Sequence, residues 1–344
     1  MKKDIKSMDL KEIKTEIDSL SEKKFRADQI FKWLRKGAGD FDEMSNLPVD
    51  LRDKLREIYY IPVIKIEEKY CSKKDETVKY LIRLDDDYVE SVLMKYKHGY
   101  SVCVSTQVGC KMGCTFCATG KSGFLRNLSP AEIEGQIRVI TDDIGERISN
   151  VVLMGMGEPL DNYDNVLRFL ELVASEDGLN IGMRHISLST CGIVDKIYDL
   201  ADKKMQITLS VSIHAQNDAI RNKTMPINKK WNMDELLKAC KYYTDKTNRR
   251  ISFEYAMIDG VNDSQECAKE LSRRLKGIIA HVNLIPVNST EGNSYIKSSK
   301  DALHRFPVII EQRGCSATIR RTMGADIEAS CGQLRRRYMG EESQ

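Results

Sequence analysis

Three cysteines fall within a single eight-residue stretch, Cys110-Lys111-Met112-Gly113-Cys114-Thr115-Phe116-Cys117, spaced C-x3-C-x2-C. Each thiol can become a thiolate, a soft ligand suited to iron. Four such ligands would close every iron of a cubane cluster. Three leave one iron open, where a small molecule can coordinate and receive an electron. Other readings compete. Structural zinc usually takes two C-x2-C pairs, or one pair with two histidines, whereas here no second pair is present and the five histidines are scattered. A plain ferredoxin would want a fourth cysteine nearby. Disulfides are disfavoured, because Met1-Lys2-Lys3-Asp4 leads into charged sequence rather than a signal-peptide core.

Such a corner needs a frame, and the composition supplies one. The 344 residues are 41% hydrophobic, ample for a packed core, and no run approaches the roughly 18 apolar residues that a membrane span needs. A soluble, cytoplasmic protein is expected. The net charge of +3 does not itself announce nucleic acid. Local clusters, Arg249-Arg250, Arg320-Arg321 and Arg335-Arg336-Arg337, could meet phosphates, although a charge run is more often a solvated face.

Residues 1–62 read as a small helical accessory domain. Leu10, Ile13, Ile17 and Leu20 fall at helical spacing, as do Ile30, Phe31 and Leu34, and Pro48 opens a third segment through Leu51 and Leu55. Over residues 63–97 the period changes to two. Thr77–Arg83 and Tyr88–Met94, around Asp85-Asp86-Asp87, predict a connecting β-hairpin with Glu90 in its second strand.

Residues 98–334 alternate strand and helix. Strand Ser101–Thr106 ends just before the cysteine loop, and Ser129, Pro130 and Glu132 signal the start of the next helix. Strands then follow at Asn150–Met154, His185–Thr190, Gln206–His214, Ile251–Ile258 and His281–Val287. Helices at Tyr163–Ala174, Val194–Lys203, Asp234–Thr244, Ser264–Lys276 and Lys300–Gln312 separate them, before a last strand at Ser316–Arg321. Roughly six βα units predict an α/β fold, a partial (β/α)6 barrel, with a doubly wound sheet as the alternative. Residues 335–344 form a basic C-terminal tail.

Both architectures bind ligands at the C-terminal ends of parallel strands, and the unusual residues of this chain stand there. The cysteine loop follows the first strand and Gly155-Met156-Gly157-Glu158-Pro159 the second. Ser189-Thr190-Cys191-Gly192, Ser212-Ile213-His214, Asp259-Gly260 and Pro286-Val287-Asn288 mark the remaining four. Glu158 or exposed carbonyls could hold an ammonium group. Ser189 and Ser212 can bond a carboxylate or ribose, and His214 can present its ring or its backbone. Asn288 could read an adenine edge. Singly, each is an ordinary turn or packing residue; their convergence points to a site.

These motifs are also familiar as a set. C-K-M-G-C-T-F-C followed by M-G-M-G-E-P-L resembles the radical S-adenosylmethionine (SAM) superfamily. Further matches are Phe25–Ile30, Val89–Val92, Cys103–Cys110, Leu188–Thr190, Ser212–Ala215, Met225–Lys230, Gly260–Asp263, Asn283–Pro286 and Ala329–Leu334. Over residues 24–334 the chain resembles the RlmN/Cfr family of RNA adenine methyltransferases. Gly157-Glu158-Pro159-Leu160 and Ile285-Pro286 look more like the branch that methylates adenine C2 than the one that methylates C8. Cys191 departs from an expected serine, Val287 from an expected tryptophan, and the segment 289–299 is shorter than usual.

The resemblance implies a [4Fe-4S] cluster on Cys110, Cys114 and Cys117, whose open iron binds SAM through its amino and carboxylate groups. Gly157, Glu158, Ser189, Ser212, Ile213, His214 and Asn288 match SAM-contacting positions. Cys331 matches a cysteine that becomes S-methylated and Glu90 a proton acceptor. Cys103 matches a cysteine that resolves a protein–RNA adduct as a transient disulfide with Cys331. The implied substrates are adenines of 23S rRNA, at the peptidyl transferase centre, and of tRNA, next to the anticodon. Two SAM molecules would be used per turnover, with an electron donor such as flavodoxin or ferredoxin, and a monomer would suffice. The competing expectations are C8 methylation and, more distantly, an RNA-binding module with structural zinc. Cys71, Cys240, Cys267 and Cys315 are expected to be small buried hydrophobes.

Overall fold

The computed structural model describes residues 2–85, 87–121, 123–287, 295–321, 323–327 and 340. Its main sheet has ten strands, each beside its neighbour in sequence: Ile64–Cys71, Val78–Leu84, Asp87–Tyr96, Gly99–Cys103, Ile148–Leu153, Ile186–Thr190, Thr208–Ser212, Ile251–Met257, Ala280–Pro286 and Ser316–Ile319. The first four pair antiparallel. From Gly99–Cys103 onward every pairing is parallel. A strictly sequential order, joined by right-handed crossovers, winds in one direction as a barrel does. A doubly wound sheet would reverse its order at a switch point, so that alternative is set aside. Among the described residues the two edge strands do not pair with each other, so the barrel is partial.

The parallel strands alternate for a reason visible in their register. Leu188, Leu209, Val211, Phe253, Tyr255, Val282 and Leu284 are buried in the main hydrophobic core. Between them stand Ser189, Ser210, Ser212, Ser252, Glu254 and Asn283, which point to the opposite face because side chains alternate along a strand. Direct pairings line these up: Ser189 with Ser210, Ser210 with Ser252, Ser212 with Glu254, Glu254 with Asn283, and Asn283 with Thr318. Strands buried between two apolar layers would lack this alternation. One face carries the helices; the other is a polar interior.

The helices carry the signals expected of them. Ser129 and Glu132 form a reciprocal capping box at the start of Pro130–Ile144, which ends on Gly145 at φ 65°. Helix Lys300–Gln312 runs through Pro307. Three elements differ from expectation. The hairpin strands are not a separate connector but continue the main sheet, with Ile64–Cys71 as a further strand. A small antiparallel pair, Gln107–Gly109 with Phe124–Asn127, brackets the cysteine loop. The charged stretch after His214 folds as helix Asp218–Thr224, capped by Asn217.

Helices Leu10–Ser19, Phe25–Arg35 and Val49–Ile58 build a second core around Ile13, Ile17, Ile30, Phe31, Leu51 and Leu55. Polar clamps hold this unit against helices Pro130–Ile144 and Tyr163–Ala174. Arg35 grips buried Glu134 with both carboxylate oxygens, at 2.8 and 3.0 Å. Ser129 Oγ donates to Asp4 at 2.8 Å, and Arg168 donates to the Ser7 carbonyl at 3.1 Å. Both of the Arg35 bonds come from Nη1, one charged donor shared between the two carboxylate oxygens.

Candidate active site

The cysteine loop is tied down at both ends. Gly109 has φ 80°, and a Cβ there would lie 2.0 Å from the Gly123 carbonyl, so the hairpin closes only around glycine. Cys110 N donates to that carbonyl at 2.7 Å, and Thr115 N donates to Thr224 O at 3.0 Å. Cys110, Cys114 and Cys117 then line one cavity of about 330 Å³ together with Gly157, Glu158, Ser189, Ser212 and His214. Ile213 is fully buried behind its neighbours. Asn288 and Cys331 lie outside the described residues.

Two of the thiols, Cys110 and Cys114, are held in their neutral form. Burial pushes Cys110 up to about 12, and burial followed by the nearby Cys117 and Cys110 sulfurs raises Cys114 further. A bound metal would reverse this, since a coordinating thiol is deprotonated outright. Among the described residues no three His, Cys, Asp or Glu side chains converge on a point the size of one ion.

The second tip rests on the first. Gly157 has φ 104°, and a Cβ would lie 2.6 Å from the Gln107 side chain. Glu158 N donates to Gln107 Oε1 at 2.8 Å. The Glu158 carboxylate, 4% exposed, accepts from Leu160 N at 3.0 Å and Cys191 N at 2.7 Å. Burial raises its pKa, with those amides acting against the rise. Glu158 thus lines the cavity while bracing the second tip against the third.

His214 takes the left-handed conformation at φ 48°. Its Nδ1 accepts from Ala256 N at 2.8 Å, which leaves the ring proton on Nε2. Its ring meets Phe116 of the cysteine loop edge-on, with centroids 4.7 Å apart. Burial, then the Arg221 charge, lowers its pKa to about 3, so the ring is neutral near pH 7. Asn262 anchors the turn from the other side by donating to the His214 carbonyl at 2.8 Å.

Glu90 and Cys103 occupy the antiparallel part of the same sheet. Val92 pairs directly with Cys103, and Glu90 stands two residues from Val92, so both project from one face. Glu90 is 2% exposed and ion-paired to Lys79 Nζ at 3.0 Å, where an isolated strand glutamate would be expected to face solvent. Cys103 is pushed up to about 11 by burial and by the Glu90 charge, with Arg320 pulling the other way. Neither residue lines the cavity of the three cysteines.

Three participants, Glu254, Lys79 and Arg221, escaped the sequence reading, and Arg320 was named there only within a cluster that could meet phosphates. Glu254 and Arg320 line the cavity, and Glu254 accepts from Asn283 at 2.7 Å and Ser252 at 2.9 Å. The alternation that exposes Ser189 and Ser212 to the interior also selects Glu254, so a signal existed. Lys79 and Arg221 had none, being charged residues in segments that read as exposed.

With this geometry in place, the relatives are informative. Residues 104–271 match the model of the radical SAM superfamily, and residues 3–61 match that of the ribosomal RNA large subunit methyltransferase N-terminal domain. A relative from Alkaliphilus oremlandii, named "Probable dual-specificity RNA methyltransferase RlmN", is 53% identical over 98% of both chains. A relative of the same name from Clostridium novyi is 53% identical over 98% of this chain and 99% of its own. The crystal structure of a radical SAM methyltransferase from Sphaerobacter thermophilus superimposes with a TM-score of 0.89 at 40% identity, covering 96% of this chain and 98% of that one. The cysteine loop, the sequential parallel sheet and these full-length likenesses agree: the chain belongs to the RlmN family of radical SAM RNA methyltransferases.

Proposed function

We propose that the chain methylates C2 of adenine in 23S rRNA and in tRNA, with the methyl group carried on Cys331 and two SAM molecules used per turnover. The observation that supports this best is the gathering of Cys110, Cys114 and Cys117 with Gly157, Glu158, Ser189, Ser212 and His214 around one cavity. The residues fit a [4Fe-4S] cluster. Three thiols, Cys110 buried and Cys114 and Cys117 partly so, line a space larger than one ion needs, and three thiolate ligands leave a corner for SAM. Ser189, Ser212, the Gly157 backbone and the Ile213–His214 turn are the groups we assign to SAM, with Asn288 from outside the described residues. When bound, cluster and SAM would supply a carbon-centred radical, which an electron-poor ring carbon such as adenine C2 requires.

The remaining roles belong to this chain's side chains. Cys331 acts as the nucleophilic sulfur that accepts the methyl group. Glu90 accepts the C2 proton. Cys103 attacks the Cys331 sulfur, so that a disulfide forms as the bond between that sulfur and the new carbon breaks; the carbon keeps the bonding pair and gains a proton in place of the one the Cys103 thiol gives up, which completes the methyl group. Burial favours the protonated thiol before that step, and Glu90 projects from the same sheet face. The target base must leave its stack to enter, which costs a few kcal/mol in structured RNA. The N-terminal helices, rich in lysine and arginine, are assigned to the RNA backbone. We further assign a monomeric, cytoplasmic protein fed by a flavodoxin- or ferredoxin-type donor; among the described residues no helix is long and apolar enough to cross a membrane.

The test is anaerobic reconstitution with iron, sulfide, reductant, SAM and unmodified RNA, followed by nucleoside analysis. 2-Methyladenosine with 5′-deoxyadenosine is the expected outcome; 8-methyladenosine, or neither product, would refute the assignment. Cys103→Ala should accumulate a covalent protein–RNA adduct on denaturing gels, and Cys331→Ala should form none. Free RNA alone with Cys103→Ala would remove the resolving role.

A further inference from the structure

Arg221, in helix Asp218–Thr224, is the largest fully buried side chain of the molecule's described residues, at 0% exposure. Its guanidinium is committed on every side. Nη2 donates to the Cys191 carbonyl at 2.6 Å and the Ser212 carbonyl at 3.2 Å; Nε donates to the Ile213 carbonyl at 3.3 Å; Nη1 donates to Asn228 Oδ1 at 2.9 Å. All four acceptors are neutral. Among the described residues no carboxylate lies within ion-pair distance of Arg221, although buried Lys79 and the partly buried Arg35 each have one. A buried charge without a counterion is expensive, and proteins seldom keep one.

The missing anion is indicated by what surrounds the helix. Thr224, three residues on, holds Thr115 of the cysteine loop through its carbonyl. Two of the residues whose carbonyls Arg221 holds, Cys191 and Ser212, line the same cavity as the three cysteines. Arg221 does not line the cavity, so it is not placed to touch a ligand there directly.

We propose that Arg221 is the built-in countercharge of the iron–sulfur cluster, a positioning residue that joins the third and fourth strand tips and favours the cluster's reduced form. The inference rests on the cluster assignment above. Three thiolates make the occupied site net negative, and reduction adds a further negative charge. A fixed cation in a low-dielectric surround stabilises that added charge more than it would in water, and charge near a cluster is among the factors that set its potential.

The experiment is a redox titration of the reconstituted, SAM-free protein, followed by electron paramagnetic resonance, on wild type, Arg221→Lys and Arg221→Gln. Iron content and far-ultraviolet circular dichroism are measured on the same samples. With the charge removed in Arg221→Gln, the ratio of reduced to oxidised cluster at fixed potential should fall about tenfold, a shift of about 59 mV to the negative for one electron. Arg221→Lys should stay close to wild type. Should Arg221→Gln lose its iron while Arg221→Lys retains it, the countercharge is equally supported. An Arg221→Gln protein that holds iron with an unmoved titration curve overturns the proposal. So does equal loss of iron, or of fold, in both variants, because the guanidinium's geometry rather than its charge would then matter. Wild type that takes up no iron would remove the cluster assignment itself, a result distinguishable from all of these.

Discussion

Two regions of one sheet handle charge in opposite ways. At the strand tips the cavity is lined by the neutral thiols of Cys110 and Cys114, a neutral His214 and a Glu158 whose carboxylate is occupied by backbone amides. In the antiparallel part Lys79 and Glu90 form an ion pair at 1% and 2% exposure. The first region keeps its carboxylates engaged, Glu158 by backbone amides and Glu254 by Asn283 and Ser252, and adds the cation of Arg320, which suits the arrival of a negatively charged guest. The second is electrostatically complete, which suits a proton acceptor that must survive in a buried place. A single fold therefore supplies one site that waits for charge and one that stores it.

The sharpest way to break the contrast is to empty the first region. Cys114→Ala should abolish iron binding and methylation while leaving the thermal transition of the apoprotein nearly unchanged; retained iron at the wild-type ratio would contradict the three-thiol site. The second region should behave in the opposite manner, as a stability element. Lys79→Met strands a buried carboxylate and should cost about 3–5 kcal/mol in urea denaturation. Changing both partners, Lys79→Met with Glu90→Leu, should recover much of that loss. A double variant as unstable as the single would show that the pair is not a closed unit.

A smaller effect comes from His214. Its pKa of about 3 lies below the ordinary value of 6.5, so the unfolded chain binds the proton more readily than the folded one. Its contribution to stability is fully present above pH 6.5 and is lost as pH falls towards 3, amounting to about 2 kcal/mol by pH 5. His214→Gln should flatten the dependence between pH 7 and 5; a slope equal to wild type would mean that another group titrates there.

How much of this could be read from the chain depends on the physics of each part. The βα alternation was legible because short apolar runs, with polar residues interleaved on strands such as Ile186–Thr190 and Thr208–Ser212, are separated by amphipathic helical segments, and capping residues such as Ser129 announce helix starts. The cysteine spacing and the glycine-bearing tips were legible because few other arrangements need them. The hairpin around the cysteine loop was not, since Gln107–Gly109 spans three residues and is held by one glycine turn. Arg221 was hidden for a different reason. In Asn217-Asp218-Ala219-Ile220-Arg221-Asn222-Lys223 it reads as one more solvated charge, and only the fold shows it facing three backbone carbonyls. Ile213 shows the converse: its carbonyl takes part in that arrangement, and a backbone contribution leaves no mark on residue type.

The sheet that carries both regions ends in two strands, Ile64–Cys71 and Ser316–Ile319, that do not pair with each other among the described residues; the turn after the first and the segment after the last are joined there only by single hydrogen bonds, Ser72 Oγ and Lys73 N donating to Asp326 and Gly324 N to Asp75. A sealed ring would admit only a free molecule small enough to pass its rim. A nucleotide in RNA arrives still chained to a neighbour on either side, and what such a guest requires is a slot along which the strand can lie while one base turns inward.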